Sequence, residues 1–397
     1  MYLKVYQARI STLKGGFTYH ICIAAAIIAG HLDVMAQEIC LPSRWQIQLQ
    51  EVKPLHSTDT LTICILGDIM MHSKQIEDAM RADSTYEFRC FDMIKEKIHS
   101  ADIAVGNMEF TLAGKPYSGY PRFSAPESFA SYLAECGFDV FLTANNHILD
   151  MGSIGAARTF ELYRELEKHQ EIRYTGGALD ECDYKSRNPL MIRRKGHNVA
   201  MVNFTYGTNL GKTSLWPEIN YIRSKEKNRE MIAAARARGA ETVIAFPHWG
   251  DEYQLRHSEA QETAASWLAD SGVDLIIGAH PHVVQDFGLV GKRHIPVAYS
   301  LGNAVSNMSA PNTQIELMVL VRITRDDKGN TEMLPLEFTY LWCSRPGGYT
   351  DTYMVIPVRE SIGSRDRWIG KWEYDKMIET YYRVMSETGI KDNTYNE

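Results

Sequence analysis

Short apolar runs, each ending in a polar residue and most followed by a longer amphipathic stretch, recur along most of the chain. Leu61-Thr62-Ile63-Cys64-Ile65-Leu66 predicts a strand that stops at Gly67-Asp68. Ile103-Ala104-Val105 predicts a second, ending at Gly106-Asn107, and Asp139-Val140-Phe141-Leu142-Thr143 a third, ending at Ala144-Asn145. Thr242-Val243-Ile244-Ala245-Phe246 ends at Pro247-His248, and Val273-Asp274-Leu275-Ile276-Ile277 ends at Gly278-Ala279-His280. Pro296-Val297-Ala298-Tyr299-Ser300 ends at Gly302-Asn303. Helical patterns lie between them at 91–99, 128–135, 154–169, 226–238 and 258–270; in the third, Phe160, Leu162, Tyr163 and Leu166 supply the apolar side. Two strand-like runs flank the turn Lys195-Gly196, and 315–324 is expected to pair antiparallel with 332–338. This repeated β-then-α order predicts an α/β fold with helices outside the sheet. A helical stretch at 374–387 lies in a tail, 346–397, that reads as a packing appendage without chemistry of its own.

Composition adds little except at the N-terminus. The 397 residues are 45% hydrophobic and 23% charged, ample material for a core. A net charge of −7 argues against nucleic acid or an acidic membrane as a general partner, so a polyanionic substrate needs a local basic or metal site. Lys4, Arg9 and Lys14 precede a short apolar run at 21–29, and Val34-Met35-Ala36 then gives a small-residue ending. That order predicts a secretory signal over 1–36, with an apolar run short for a membrane span. A polar connector over 37–58 leads into the main domain, 59–345, and the expected destination is a bacterial periplasm or cell surface. Cys40 follows Gln37-Glu38-Ile39, which is no lipoprotein cleavage box. Seven cysteines without C-x-x-C spacing fix no disulfide pairing.

The strand ends carry the candidate chemistry. His280 and His282 flank Pro281 after a buried-type strand, placing two imidazoles at the carboxyl edge of the sheet, where open α/β sheets bind ligands. Asp68, Asn107 with Glu109, Asn145-Asn146-His147 with Asp150, and His248 stand at the other strand ends. Any one of these is explained equally well by a turn or a backbone hydrogen bond. Together at one edge, carboxylate, carboxamide and imidazole form a donor set suited to zinc, manganese or iron. Two such ions about 4 Å apart would polarise a substrate oxygen and activate water near neutral pH, with Glu109 the candidate bridge.

These residues also carry a family resemblance. Gly67-Asp68-Ile69-Met70, Gly106-Asn107-Met108-Glu109, Phe123-Ser124-Ala125-Pro126, Ala144 to Gly152, His248-Trp249-Gly250-Asp251-Glu252-Tyr253, Gly278 to Gln285 and Tyr299 to Asn303 resemble, in order and spacing, the blocks of the capsule-synthesis CapA family. The resemblance spans about 60–341, and the family is named for poly-γ-glutamate capsule biosynthesis. It is in turn similar to calcineurin-like metallophosphoesterases, which implies a four-layer αββα sandwich with a two-metal centre. Asp68, Glu109, Asn146, His248, His280 and His282 would then hold metal, with His147 the proton donor to a leaving group. The first block departs from the metallophosphoesterase pattern: Asp68-Ile69-Met70 puts a thioether where those enzymes have histidine, and methionine is a poor ligand for hard divalent ions. One or two ions are therefore expected, and His72 would compensate only if its loop bends back. Ala304 stands where the family commonly has an aromatic, implying a more open site wall.

The remaining candidates have two readings each. Asn107, Trp249, Glu252, Tyr253 and Asn303 could touch substrate, or pack and turn beneath the loops. Asp150 could orient His147, or cap the following helix. Lys74, Arg122 and Arg256 could meet an anionic substrate, or be solvated surface. The expected function is an exported metal-dependent hydrolase acting on a phosphoester or an anionic polymer such as poly-γ-glutamate. The alternative is a non-hydrolytic, polymer-binding component of capsule assembly or export, associated with that machinery at the membrane. A surface protein with a vestigial site is a third reading, against which the retained His147 argues.

Overall fold

The structure, a computed structural model, describes residues 60–213, 215–326 and 329–392 in full. Nearer the N-terminus it gives the backbone of β1 (Lys4–Thr12), β2 (Thr18–Ala25) and β3 (Trp45–Val52), paired antiparallel in the order β2-β1-β3 within a unit of its own, Met1–Thr58. The expected cleavage region Val34-Met35-Ala36 and Cys40 lie outside the described residues.

The second unit, Asp59–Glu397, is built on two large sheets. In the first, β4 (Leu61–Ile69), β5 (Ile103–Met108), β6 (Val140–Leu142) and β7 (Arg173–Thr175) run parallel and adjacent. A small ribbon pairs β8 (Gly177–Ala178) with β11 (Glu218–Ile219). The second sheet holds β9 (Leu190–Arg194), β10 (His197–Thr205), β12 (Thr242–His248), β13 (Leu275–Ile277), β14 (Phe287–Val290) and β15 (Ile295–Ala298). Its order is β14-β15-β13-β12-β10-β9, with the inner four parallel and the two edges antiparallel. The chain then returns to the first sheet. There β16 (Asn303–Val305) pairs with the end of β4, and β17 (Ile315–Arg325), β18 (Thr331–Met333), β19 (Glu337–Ser344) and β20 (Met354–Pro357) extend it antiparallel.

Strand alternation turns two sheets into four layers. On β4, Ile63 and Ile65 share an apolar core with Val199 and Met201 of β10 and with Ile244 and Phe246 of β12, so these faces meet. Cys64 and Leu66 point the other way, onto Phe129 and Leu133 of helix Glu127–Glu135 and Ala156 and Phe160 of helix Gly152–Leu166. On the second sheet, Ala200, Val202 and Phe204 turn outward against Ile232 and Ala235 of helix Lys225–Ala237 and Leu268 of helix Glu259–Asp270. Sheets covered on both faces need apolar residues at both parities, which is why their strands read as unbroken apolar runs. The result is the αββα sandwich that the sequence implies.

Several elements differ from expectation. The helix expected over 91–99 begins only at Lys95, because 91–94 form turns that bury Phe91 and Ile94. The 346–397 segment is more than an appendage: β20 adds an edge strand to the first sheet, and Met377, Tyr381 and Val384 of helix Lys371–Thr388 join the core shared by Leu317 and Tyr340. Cys64, Cys90, Cys136 and Cys343 are buried free thiols.

Candidate metal centre

The parallel strands of both sheets end at a common edge, and their following loops converge there. Asp68 stands near the carboxyl end of β4, just after Gly67, where a Cβ would lie 2.0 Å from the carbonyl oxygen of Gly302. Only glycine lets the loop carrying Asn303 cross so close to β4. Gly278 repeats the device beneath the histidine loop, with the Tyr299 carbonyl oxygen 2.0 Å from where its Cβ would stand. Gly67 N–H donates to Glu316 Oε1 at 2.6 Å, a buried carboxyl on β17 that braces the turn from below.

Around Asp68 the polar groups interlock. Asn107 Nδ2 donates to Asp68 Oδ1 at 2.7 Å and lies 3.3 Å from His248 Nδ1. The His280 N–H donates to Asp68 Oδ2 at 3.1 Å, and His282 Nδ1 is 3.5 Å from that oxygen. His248 Nε2 lies 2.8 Å from Asn146 Oδ1 and 3.6 Å from Glu109 Oε1. His282 Nε2 and His147 Nε2 each stand 3.9 Å from the same Glu109 oxygen. Asn303 Oδ1 is 2.9 Å from His282 Nδ1, fixing that ring.

His147 is oriented from behind. Its Nδ1 is 2.8 Å from Asp150 Oδ2, which also accepts the Phe123 N–H at 2.8 Å, and the Phe123 ring meets the imidazole edge-on at 4.7 Å. With Nδ1 committed to Asp150, Nε2 is the nitrogen that faces the cleft. Asp150 does not cap the next helix, whose N-cap is Met151.

The electrostatics call for positive charge. Burial, and then the Asp68 carboxylate, push Glu109 well above the usual carboxylate range. Both Glu109 oxygens, Asn107 Oδ1 and His280 Nδ1 are buried without a hydrogen-bond partner. Burial, then the neighbouring imidazoles, hold His248 well below the usual histidine range and His280 at about 3. Burial works the same way on His282, but the Asp68 carboxylate, the Asn303 hydrogen bond and the Glu252 charge together outweigh it and raise the ring. Buried carboxylates without donors beside neutral imidazoles with open nitrogens are the condition of a ligand set. His280 and His282 also hold φ angles of 102° and 60°, a left-handed backbone that non-glycine residues keep only where the surroundings impose it.

Three groups of ligand atoms lie within 4.8 Å of one another: Asp68, Glu109 and His282; Glu109, His248 and His280; and Glu252, His280 and His282. Glu109 belongs to two of them. Mixed carboxylate and imidazole donors in these numbers fit a borderline divalent cation such as zinc, manganese or iron.

The sequence model described as bacterial capsule synthesis protein PGA_cap matches residues 62–308, which include every residue of these groups. The chain belongs to this family. It is 27% identical over 313 residues to the capsule biosynthesis protein CapA of Bacillus anthracis, covering 75% of this chain and 73% of that protein. The PGA biosynthesis protein CapA of Bacillus subtilis (strain 168) is 23% identical over 288 residues, 71% of this chain and 73% of that one. Among solved structures, the calcineurin-like phosphoesterase YfkN of Bacillus subtilis aligns at 14% identity and TM-score 0.42, covering 83% of this chain and 99% of its own. The 5'-nucleotidase precursor of Thermus thermophilus aligns at 12% identity and TM-score 0.43, covering 83% and 59%.

The site of this family member includes residues that the strand-end pattern does not reveal and leaves out some that it suggests. Trp249 does not line the cleft: it is buried in the outer core, and its Nε1 donates to the Tyr299 carbonyl at 2.9 Å. Met70 and Ala304 face the apolar core, so neither one opens or lines a site wall. His72 does not bend back to replace the missing histidine. Its Nδ1 lies 3.2 Å from Gln75 Oε1 and from the Asn307 N–H, and its ring packs on Phe123. Lys74 pairs with Glu77, Arg256 lies 3.7 Å from Asp286, and Arg122 Nε donates to the Asp150 carbonyl at 2.8 Å. Glu252 and Tyr253 sit at the exposed mouth; burial, then the Glu252 carboxylate, raises the Tyr253 phenol to about 12. Tyr206 and Asn209, past the end of β10, are additions to the site: the Tyr206 ring lies tilted against His280 with centroids 4.6 Å apart, and Asn209 Nδ2 lies 3.4 Å from His147 Nδ1. The strand-end signal reaches them only if the apolar run before Tyr206 is followed to its own carboxyl edge.

Proposed function

We propose that this protein is an exported metal-dependent hydrolase that cleaves a phosphoester or an amide of an anionic polymer in capsule biosynthesis. The observation that carries the reading is Glu109, whose two buried oxygens lack donors while it belongs to two ligand groups beside a histidine already oriented by Asp150. Asp68, Glu109 and His282 would hold one ion, and Glu109, Asn146, His248 and His280 the other. Manganese, zinc or iron there supplies charge to polarise the scissile group and to lower the pKa of water. His147 Nε2 gives its proton to the leaving atom, and Asp150 stabilises the imidazolium that precedes the transfer. Asn107 and Asn303 keep Asp68 and His282 in place. Tyr206 and Tyr253 flank the mouth as the surfaces a substrate meets first. A chain of net charge −7 can hold a polyanion here because the cations are local.

The non-hydrolytic, polymer-binding reading keeps one point in its favour, the thioether of Met70 where a ligand is expected. The two separate on the purified chain. Elemental analysis is expected to give close to two equivalents of metal, reduced in His280→Ala. His147→Ala is expected to keep the metal and lose roughly 10²- to 10⁴-fold in hydrolysis of bis-p-nitrophenyl phosphate or poly-γ-glutamate, the range for a general acid. No bound metal after incubation with manganese, zinc and iron would sink the hydrolase. Full hydrolysis by His147→Ala would sink the proton-donor assignment.

A further inference from the structure

The two ligand groups that share Glu109 are unequal. Glu109, His248 and His280 gain a fourth donor from Asn146 Oδ1, 2.8 Å from His248 Nε2. Asp68, Glu109 and His282 have only three, because Met70 is turned into the apolar core and His72 is committed to Gln75 and Asn307. A borderline divalent ion rarely accepts three protein ligands without a further donor, from protein or solvent.

A carboxylate is already in reach. Glu252 Oε lies within 4.8 Å of ligand nitrogens of both His280 and His282. Its loop is fastened to the histidine loop on either side: the Trp249 N–H donates to the Ala279 carbonyl and the Tyr253 N–H to the Pro281 carbonyl, both at 2.9 Å. Gly250 at φ 93° and Tyr253 at φ 65° bend the chain so that Glu252 meets the cleft. Three of the seven non-glycine residues with positive φ among those described are Tyr253, His280 and His282, so backbone strain is concentrated on this pair of loops. The Tyr253 phenol hydrogen-bonds Glu252, and among the described residues no lysine or arginine forms an ion pair with it. The cation that its distance to His280 and His282 admits is the same one that the unpartnered Glu109 oxygens and His280 Nδ1 face.

We propose that Glu252 is a metal ligand that stands in for the histidine absent at position 70 and completes the Asp68–Glu109–His282 position. This rests on the metal reading of the site and adds to it a ligand from outside the strand-end pattern. Because Glu252 is exposed where the other ligands are buried, it closes the site from the solvent side.

The test is manganese binding to the full chain, stripped of metal, followed by equilibrium dialysis with elemental analysis and by the electron spin resonance of Mn(II). Wild type is expected to bind two ions with a spin-coupled signal. Glu252→Gln is expected to keep one and to bind the other at least tenfold more weakly, with the six-line signal of an isolated ion. Glu252→Asp should lose less. The exposed position makes Glu252→Gln neutral to folding, which urea unfolding of the metal-free chain checks. Two ions bound by Glu252→Gln with wild-type affinity would overturn this inference and leave the hydrolase standing. No ion bound by wild type would overturn both.

Discussion

His72 lies two positions beyond Met70, near enough in sequence to be a substitute ligand, but its ring is used elsewhere. It heads helix Ser73–Ala79, where the Gln75 side chain reaches back to its N–H at 2.8 Å and its ring sits edge-on to Phe123 at 5.1 Å. Burial lowers its pKa from 6.5 to about 4. The unfolded chain therefore binds a proton between those values that the folded chain refuses, so stability falls as pH drops through that window. Discounted for partial exposure, the loss is of order 2 kcal/mol. Urea unfolding at pH 7 and pH 4.5 is expected to show a smaller pH difference in His72→Asn than in wild type by about that amount; an equal difference would show that His72 does not set it. At this scale the sequence is legible where a residue ends a buried strand, as Asp68, His248 and His280 do. Trp249 is ambiguous in sequence, since an aromatic after a strand either lines a cleft or packs. The Tyr299 carbonyl, 50 positions away in sequence, decides it.

Among elements, the strands covered on both faces are the readable ones, because their apolar runs leave no other interpretation. The short β16 is different. Three residues hydrogen-bonded to the end of β4 give no periodicity, and their pairing depends on how the loop after Gly302 crosses. The tail is hard to value from sequence for a related reason. Its helix shows the apolar side but not the target, which is the surface of β17 and β19, brought there only by tertiary folding. Tyr381, 5% exposed, meets Tyr340 edge-on at 5.3 Å within that contact. Tyr381→Ala is expected to cost about 3 kcal/mol in urea unfolding while leaving metal stoichiometry unchanged. A loss below about 0.5 kcal/mol, the level of an ordinary surface substitution, would return the tail to the status of an appendage.

The whole molecule divides its site between two sheets. Asp68, Asn107, Glu109 and Asn146 come from the first, and His248, His280 and His282 from the second. Sequence reading finds both sets, because each sheet announces its carboxyl edge strand by strand, but not the loop contacts that set one against the other. For export, the mature chain recovered from a periplasmic or surface fraction is expected to begin near residue 37, by N-terminal sequencing; an intact Met1 there would refute the signal.

The left-handed backbone of His280 and His282 and the donor-less oxygens of Glu109 have one more consequence. Each is a place where the fold alone would do better with another residue: glycine for the turns, an amide or an apolar group for the buried carboxylate. Heat resistance and chemistry therefore compete at these few positions. A lineage released from its chemistry would drift there first, and it would grow sturdier as it fell silent.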